Sequence, residues 1–497
     1  MAALTSEERL ELLQTLRSDS GQAEVGGRIK DNFFPIAEHL RAFEPDVVLI
    51  VGDRGAGKTQ LVRVAQDPDL RKAVKRIGPN VRLPKGQTEW LNGYPMKPGP
   101  AKRALDKFVI DAGNQGKTAT QDFWCAYLMR VLKNVFSDDD RKRFSSLLTA
   151  PDADVEARVG DFLGAGTSAA VALDQLDKRL QDENRWVFVL YDELDTLYYS
   201  DWSAMGELIR GLIAFWAHHS RRWERIRPKI FLRTDFYRHH GSQVAGADIA
   251  KLAASRVELS WSDKNLYAML IKHLINLNEP WFDYCSAAKT EKMRYQEDPI
   301  LRRIPSFVKK EDARPLIERI VGKYMGQTKG KGDPFTWILD HLRDGNQKVS
   351  PRSLILLFEH AAVIEAGTMH ATHTHVISHI SLRNALDKVS DAYVTQAFDE
   401  FKWLPRVKEC LESADQVPWE SRQKLEIAFR QHWFDWENED AEVRPPAARP
   451  KELVDLLLEL GIVRNRTGEK FDVPDLYLKG LGLKRKGGVA RRVRRST

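Results

Sequence analysis

The segment GDRGAGKT, which runs from Gly52 to Thr59, constrains this chain more than any other feature. It follows a short apolar run, residues 47–51, and precedes a helical pattern of apolar residues. The pattern G-x-x-x-x-G-K-[ST] between a strand and a helix is typical of a phosphate loop, which holds phosphates with backbone N–H groups and a helix N-terminus. We therefore predict a nucleotide site; a glycine-rich turn that only looks like such a loop is the alternative.

Two side chains of the loop have predicted roles. Lys58 is expected to reach the β- and γ-phosphates, and the hydroxyl of Thr59 is expected to ligate Mg²⁺. The candidate phosphate-binding residues are consecutive, and they are Gly52, Asp53, Arg54, Gly55, Ala56, Gly57, Lys58, Thr59 and Gln60. Kinases, GTPases, motors and switches all carry this loop, so the rest of the chain must choose among them.

Length and composition indicate a soluble protein of about three domains. The chain has 497 residues, of which 42% are hydrophobic and 30% charged. Its longest apolar runs are far shorter than the ~20 residues that a membrane helix needs, and the charged amphipathic N-terminus does not resemble a secretory signal. Three scattered cysteines give neither a disulfide framework nor a metal-binding pattern. We expect a cytoplasmic protein without a membrane association.

The net charge of +7 is concentrated at the C-terminus. Residues 1–483 are balanced, because the whole excess equals the basic residues of the last fourteen positions, which are Lys484, Arg485, Lys486, Arg491, Arg492, Arg494 and Arg495. This tail could contact DNA phosphates or another anionic surface, or it could be a solvated disordered end.

The apolar patterns predict an α/β fold. Strand signals at residues 47–51, 185–195, 227–235 and 255–261 alternate with helical patterns, which implies a parallel sheet covered by helices on both faces. The stretch 75–102 is rich in turn residues.

The remainder of the chain predicts two further domains. Helical spacing dominates residues 263–386, and near the C-terminus a helix and a β-hairpin follow one another, which is typical of a winged helix. The predicted order is an N-terminal helix at 1–30, a phosphate-loop domain at 31–262 with an insertion at about 75–180, a helical lid at 263–395 and a winged-helix-like domain at 396–497.

Two acidic residues end the second strong strand. Asp192 is expected to orient Mg²⁺, and Glu193 is expected to act as the general base that activates water. A hydrolase needs such a base, whereas a small-molecule kinase does not. The alternative for Glu193 is a preference for the N-terminus of the next helix.

The third strand ends in Arg233-Thr234. Polar side chains at the carboxyl edge of a parallel sheet face the crevice where ligands bind. Arg233 or Thr234 could therefore sense the γ-phosphate, directly or through the attacking water; solvation of a strand end is the alternative.

Taken in order, GDRGAGKT, VFVLYDELD, IFLRTD, LAASRVELSW and VSPRSLILLFEHA resemble the phosphate-loop ATPases with an Asp-Glu second motif, particularly the AAA+ and STAND branches. The resemblance covers about residues 30–390. It implies ATP hydrolysis, an arginine finger for a neighbouring subunit at Arg256, and a sensor arginine of the lid at Arg352. It also implies a winged helix after the lid and a place in a bacterial defence or signalling system.

The chain departs from a compact AAA+ core, because the long separation between Lys58 and Asp192 requires the insertion at 75–180. No guanine-specificity motif follows the third strand, which favours ATP with Mg²⁺ over GTP. The first hypothesis is an ATP-driven molecular switch that acts through a protein partner or a neighbouring subunit. The second is a DNA-associated AAA+ ATPase that forms a nucleotide-dependent homo-oligomer, and the third is a scaffold with negligible turnover.

The run HATHTHVISH contains four histidines. Clustered imidazoles can bind zinc, but the run holds no cysteine or carboxylate. We therefore expect a solvated loop that leads into a helix.

Overall fold

The structure is a computed structural model, and it separates into two compact units. The sheet unit is Pro35–Ser260, and the helical unit combines Met1–Phe34 with Trp261–Thr497. The structure describes residues 4–18, 29–95, 119–149, 159, 167–197, 202–241, 247–288, 290–368, 375–413, 416–438, 440 and 443–486.

Five parallel strands form the centre of the sheet unit. They are β1 Leu49–Gly52, β2 Gln87–Tyr94, β3 Arg185–Tyr191, β4 Ile226–Arg233 and β5 Val257–Leu259. Their order across the sheet is β2-β3-β4-β1-β5, and every neighbouring pair is parallel. Parallel neighbours need crossover connections, which the intervening helices provide. The predicted α/β class is confirmed.

The described helices that precede β5 in the sequence belong to both units. The first two, α1 Ser6–Ser18 and α2 Ile29–Asn32, belong to the helical unit. The sheet unit then holds α3 Ala37–Arg41, α4 Lys58–Gln66, α5 Pro68–Ile77, α6 Ala119–Val131, α7 Asp138–Arg143, α8 Ser145–Thr149, α9 Thr167–Asp182, α10 Trp202–Arg222, the short α11 Thr234–Phe236 and α12 Ala247–Ala254.

The hydrophobic core of the sheet unit is rich in aromatic rings. α6 is buried along most of its length, and Trp124 donates its indole N–H to the carbonyl of Leu208 on α10 at 2.8 Å. Tyr191, at the end of β3, packs edge-on against Trp124 and Trp216. This packing fixes the end of β3, and with it the residues that follow.

Strand β2 lies in the stretch 75–102, for which the sequence predicts turns and no strand. The strand pairs with β3 from Gln87 to Tyr94 and forms one edge of the sheet. Most of its residues are exposed or half-buried, so its sequence shows no clear apolar alternation. Trp90 nevertheless stacks on Phe188 of β3, with ring centroids 4.1 Å apart. Residues 87–94, which lie within the predicted insertion, therefore form an edge strand of the central sheet.

The second part of the helical unit begins with α13 Asp263–Ile275 and α14 Glu279–Ser286. An antiparallel hairpin follows, β6 Arg294–Asp298 and β7 Arg302–Ser306, inside the region predicted as helical. The next helices are α15 Arg314–Val321, α16 Pro334–Leu342, α17 Pro351–Thr368 and α18 His379–Glu400.

The N-terminal helix is held to this bundle by a buried ion pair. Arg9 of α1 bonds to the carboxylate of Glu365 on α17, which is fully buried, and it also donates to the carbonyl of Val376 at 3.2 Å. Leu12, Leu13 and Leu16 complete the contact with apolar packing. Helix α1 is thus part of the folded unit.

The C-terminal segment contains α19 Leu404–Ser413, α20 Arg422–Arg430, α21 Trp433–Glu437, α22 Pro450–Glu459, the hairpin β8 Arg464–Arg466 and β9 Lys470–Asp472, and α23 Asp475–Leu478. The predicted order of helix and hairpin is confirmed for α22, β8 and β9. None of the helices in the described ranges has the length and apolarity that a membrane crossing requires.

Candidate nucleotide-binding site

The phosphate loop starts where β1 ends. All four residues of β1 are buried, and Gly52 lies in register between Arg233 of β4 and Leu259 of β5. A Cβ at Gly52 would approach side-chain carbons of Leu259 and Ala56 at 3.1 and 3.2 Å, closer than ordinary contacts. Gly57, the residue before α4, has a φ of 97°. Residues that carry a Cβ are strained at this backbone angle, whereas glycine is not. The glycines therefore fix the turn between strand and helix.

Helix α4 begins at Lys58, and its apolar positions hold it against the unit. Leu61, Val62, Val64 and Ala65 are buried. The N-terminus of this helix and the loop before it present positive partial charge, which favours a phosphate group. The loop and helix thus have the local structure that the motif predicts.

The ammonium of Lys58 lies over the loop. Its Nζ donates to the carbonyl oxygens of Gly52 at 2.8 Å and Asp53 at 3.0 Å. Desolvation lowers the pKa of Lys58, and the charge of Arg233 lowers it further, while Asp192 acts in the opposite direction. A desolvated ammonium beside a second cation is stabilised by an anion, and phosphate is the anion that this loop suits.

Asp192 and Thr59 form the candidate metal site. Asp192 follows β3, its backbone N–H donates to the carbonyl of Tyr94 at 2.9 Å, and its side chain is buried. Burial raises the pKa of Asp192, although a hydrogen bond with Thr59 and the nearby charge of Lys58 oppose that rise. The hydroxyl of Thr59 and a carboxylate supply the oxygen ligands that Mg²⁺ prefers, with room for phosphate and water oxygens. These residues therefore fit the predicted ion.

Glu193 adopts an unusual backbone conformation. Its φ of 51° and ψ of 31° lie in the left-handed region, which a residue with a side chain seldom occupies. The carbonyl of Glu193 accepts from the backbone N–H of Thr196 at 2.9 Å and from its hydroxyl at 2.7 Å. The Thr196 hydroxyl is also 3.1 Å from the hydroxyl of Tyr94. This turn exposes the Glu193 side chain at the end of the sheet that carries the loop.

Arg233 is held by two carboxylates, neither of which is among the predicted site residues. Its guanidinium donates to both oxygens of Asp235, at 3.1 and 2.8 Å, and lies 3.8 Å from Asp195. Burial raises the pKa of Asp235, but the charge and hydrogen bonds of Arg233 outweigh burial, so the pKa of Asp235 is lowered overall. The signal in the sequence is an acidic residue two positions after an arginine at a strand end.

The hydroxyl of Thr234 is the most informative polar atom of the strand end. Thr234 follows β4 directly, the residue is buried, and its Oγ1 has no hydrogen-bond partner within the described part of the chain. A buried hydroxyl without a partner is unfavourable by about 1–3 kcal/mol. A ligand oxygen or a bound water at this edge of the sheet would satisfy it.

The structure brings Lys58, Thr59, Asp192, Glu193 and Arg233 to the carboxyl edge of the sheet, beside Thr234. Of the other predicted arginines, Arg256 lies at the amino edge of the same sheet, and Arg352 belongs to the helical unit.

Arg256 precedes β5, whose first residue, Val257, pairs with Ile50, so Arg256 lies at the amino edge of the sheet, away from the loop of its own chain. It is exposed, donates to the carbonyl of Ala253 at 3.1 Å and lies over the ring of Tyr237. Arg352 belongs to the helical unit, where it is exposed at the start of α17 and donates to Gln396 at 3.1 Å.

The remaining predictions concern the C-terminus and the histidines. Of the basic tail, Lys484, Arg485 and Lys486 are described, and Arg485 is bound to Asp472 at 2.7 Å and Asp475 at 3.0 Å. The arginines of the tail beyond residue 486 lie outside the described residues. His379 begins α18, as predicted for the end of the histidine run, while the histidines within 369–374 lie outside the described residues.

Comparison with known proteins gives no family and only loose structural likenesses. No family model matches the chain. No curated protein matches it either.

Among solved structures, a Walker-type ATPase of Pyrococcus abyssi is 10% identical, with a TM-score of 0.38, over 91% of this chain and 96% of that one. The ORC2 protein of Aeropyrum pernix, solved as ADPNP-ADP complexes, is 14% identical, with a TM-score of 0.29, over 94% of this chain and 95% of that one. At these scores the likeness is loose, and the site is interpreted from the residues of this chain.

Proposed function

We propose that the chain binds Mg-ATP at the phosphate loop, hydrolyses it and uses the nucleotide state as a molecular switch. The observation that carries the proposal is the convergence on one sheet edge of a loop lysine, a hydroxyl–carboxylate pair and a strand-end arginine, contributed by Lys58, Thr59, Asp192 and Arg233. A glycine-rich turn with another purpose would need neither the hydroxyl–carboxylate pair nor the strand-end arginine.

Each residue has a separate task in this proposal. Lys58 and the loop bind the β- and γ-phosphates. Thr59 and Asp192 would hold Mg²⁺, which would neutralise phosphate charge when bound. Glu193 accepts a proton from the attacking water. Arg233 exchanges part of its contact with Asp235 for the γ-phosphate, which links the nucleotide state to the segment after β4.

We choose ATP over GTP because the sequence lacks a guanine-specificity motif after β4, the third strand that the sequence predicts. We propose further, from the sequence resemblance, that the output is passed to a protein partner in a bacterial defence or signalling system. The C-terminal helix and hairpin fit a winged-helix-like domain in that proposal.

The loop assignment is tested by replacing Lys58 with Ala and measuring ATP affinity by calorimetry. Hydrogen bonds to charged groups contribute about 1.5–3 kcal/mol, so affinity should fall about 10- to 100-fold. Lys72→Ala is the matched control, because Lys72 is an exposed lysine of the same unit whose partner, Asp69, is also exposed. Equal affinities of Lys58→Ala and Lys72→Ala would refute the assignment.

The second candidate is an oligomeric, DNA-associated AAA+ ATPase, and the location of Arg256 favours it. An exposed arginine at the amino edge of the sheet is available to the loop of another copy but not to its own.

A mixing experiment tests this second candidate. Arg256→Ala keeps Glu193, and Glu193→Gln keeps Arg256, so a mixture of the two inactive variants should recover ATP hydrolysis if Arg256 acts on a neighbour. Hydrolysis by the mixture that equals the average of the two separate variants would refute a role of Arg256 between subunits. Stimulation of wild-type hydrolysis by duplex DNA would support the DNA-associated form.

A further inference from the structure

A basic cavity lies in the helical unit, between the loop of residues 322–332 and the first turn of α18. Its volume is about 380 Å³. Thr328 and Lys331 line it from the loop, and His379 and Arg383 line it from the helix. None of the lining residues is acidic. The cavity volume falls in the range of about 300–1,000 Å³ that is usual for small-ligand sites.

The loop itself has the composition of an anion-binding segment. Its sequence, GKYMGQTKGKG, contains Lys323, Lys329 and Lys331 and no acidic residue. All three lysines are exposed, so their charges face solvent. The loop is bounded by Gly322 and Gly332, whose φ angles of 87° and 83° are left-handed and favour glycine. The glycines therefore allow a tight excursion that concentrates three positive charges.

The loop is attached to α18 by a defined contact. Arg383 Nη2 donates to the carbonyl of Met325 at 2.7 Å, and Met325 is fully buried. This bond uses one N–H of the guanidinium and leaves its charge at the cavity, because the residue is exposed. The contact holds Arg383 and the lysines of the loop on one side of the unit.

The beginning of α18 adds to the positive potential. The helix is 22 residues long and starts at His379, with Ser378 as its N-cap, whose hydroxyl accepts from the N–H of Ser381 at 3.1 Å. The N-terminus of a helix carries about half a positive charge, which acts over its first turn. Lys331 and Arg383 supply two full charges beside it.

We propose that this cavity is a second anion site, which binds phosphate groups of a nucleic-acid strand or of a phosphorylated small molecule. Lysine and arginine charges, a threonine hydroxyl and a helix N-terminus are the groups that contact phosphates in proteins. Tyr324, 39% exposed beside Lys323, offers a ring on which a base can stack. Phosphate is the shared chemistry, and the two sources are separated by experiment.

The test uses the full chain and two probes. The first is a fluorescently labelled single-stranded oligodeoxynucleotide, followed by anisotropy at several salt concentrations. The second is pyrophosphate, followed by calorimetry in a Lys58→Ala background, which weakens binding at the phosphate loop. The site variant is Lys331→Glu with Arg383→Glu, and its matched control is Lys264→Glu with Arg294→Glu, which makes the same charge change at two other exposed positions of the helical unit.

If the source is a nucleic acid, the site variant should bind the oligonucleotide at least about tenfold more weakly than the control variant. Its log–log salt slope should also fall by about 1.4, since each phosphate contact of a single strand contributes about 0.7. If the source is a small molecule, the control should bind pyrophosphate and the site variant should not. Equal affinities of the two variants for both probes would overturn the proposal.

Arg383→Glu removes the contact with Met325, so the single variant Lys331→Glu provides a second measurement. Lys331 lines the cavity without taking part in that contact. It should show about half of the change in salt slope, with an unchanged melting temperature. A Lys331→Glu variant that binds both probes as the wild type does would also overturn the proposal.

Discussion

The strained conformation of Glu193 leads to a prediction that separates stability from activity. Glu193 has a φ of 51° and lies exposed at the end of β3, where a general base is proposed. Replacing it by Gly should relieve the backbone strain and remove the carboxylate at the same time. Replacing it by Gln should remove only the charge, because glutamine has the same backbone restriction.

The expected magnitudes follow from the backbone geometry. A residue with a side chain in the left-handed region costs about 1–2 kcal/mol relative to glycine. Glycine also destabilises the folded state by about 0.5–1 kcal/mol, because its unfolded chain has more conformational freedom to lose. The net effect of Glu193→Gly should therefore be a stabilisation of up to about 1.5 kcal/mol, and Glu193→Gln should leave the free energy of unfolding within about 0.5 kcal/mol of wild type.

The hydrolysis rate should respond differently. Both variants lack the carboxylate, so both should lose about 10²- to 10⁴-fold in kcat, which is the usual contribution of a general base. Affinity for ATP should stay near that of wild type, since Lys58 and the loop are unchanged.

The assays are urea unfolding followed by tryptophan fluorescence, and steady-state phosphate release. Glu469→Gly is a matched control, because Glu469 also has a left-handed φ, 61°, but lies in the turn between β8 and β9. It should be stabilised like Glu193→Gly and keep its full hydrolysis rate. A Glu193→Gly variant less stable than Glu193→Gln would refute the strain argument, and near-normal hydrolysis by Glu193→Gln would refute the assignment of the base.

Two further predictions concern buried polar groups. Thr234→Val removes a hydroxyl that has no partner among the described residues, so the free energy of unfolding of the nucleotide-free protein should rise by about 1 kcal/mol. The rate of ATP hydrolysis should fall about tenfold or more, because a hydrogen bond to the ligand is lost. A loss of stability with unchanged hydrolysis would contradict this role. Burial lowers the pKa of Lys272, whose Nζ donates to the carbonyl of Leu301 at 2.6 Å, to about 7. Between this value and the pKa of about 10.4 of an unfolded lysine, the unfolded chain binds more protons, so stability should rise with pH across that window. Lys272→Met should flatten the rise in the urea midpoint, whereas Met at the exposed Lys264 should not; equal slopes would contradict the reasoning.

The local structure of the loop could be predicted from the sequence because its causes are local. Gly57 needs a left-handed φ, Lys58 starts a helix, and both follow a buried strand, so a short window of sequence contains all the information. The hairpin of β8 and β9 could also be predicted from local sequence, because its turn contains Gly468, which has a φ of 79°.

Strand β2 and the hairpin of β6 and β7 could not be predicted in the same way. Most residues of β2 are exposed or half-buried, since it lies at the edge of the sheet, and it is stabilised by pairing with β3 across a long separation in sequence. β6 and β7 have mixed burial, so their pattern is obscured among helices. Whether such a segment forms a strand depends on pairing with residues far away in the sequence, and a local sequence pattern does not contain that information.

The sequence by itself determined the identity of the groups that could bind a nucleotide. These groups are the loop with Lys58, the Asp192-Glu193 pair after an apolar strand, and Arg233-Thr234 at the end of the next predicted strand. The tertiary structure alone decided which of them meet. Strand order places Arg233 next to Gly52, burial leaves the Thr234 hydroxyl without a partner in the described chain, and the direction of β5 puts Arg256 at the opposite edge. The physical reason is that residue types set chemistry locally, whereas distances between strands far apart in sequence depend on the packing of the whole sheet.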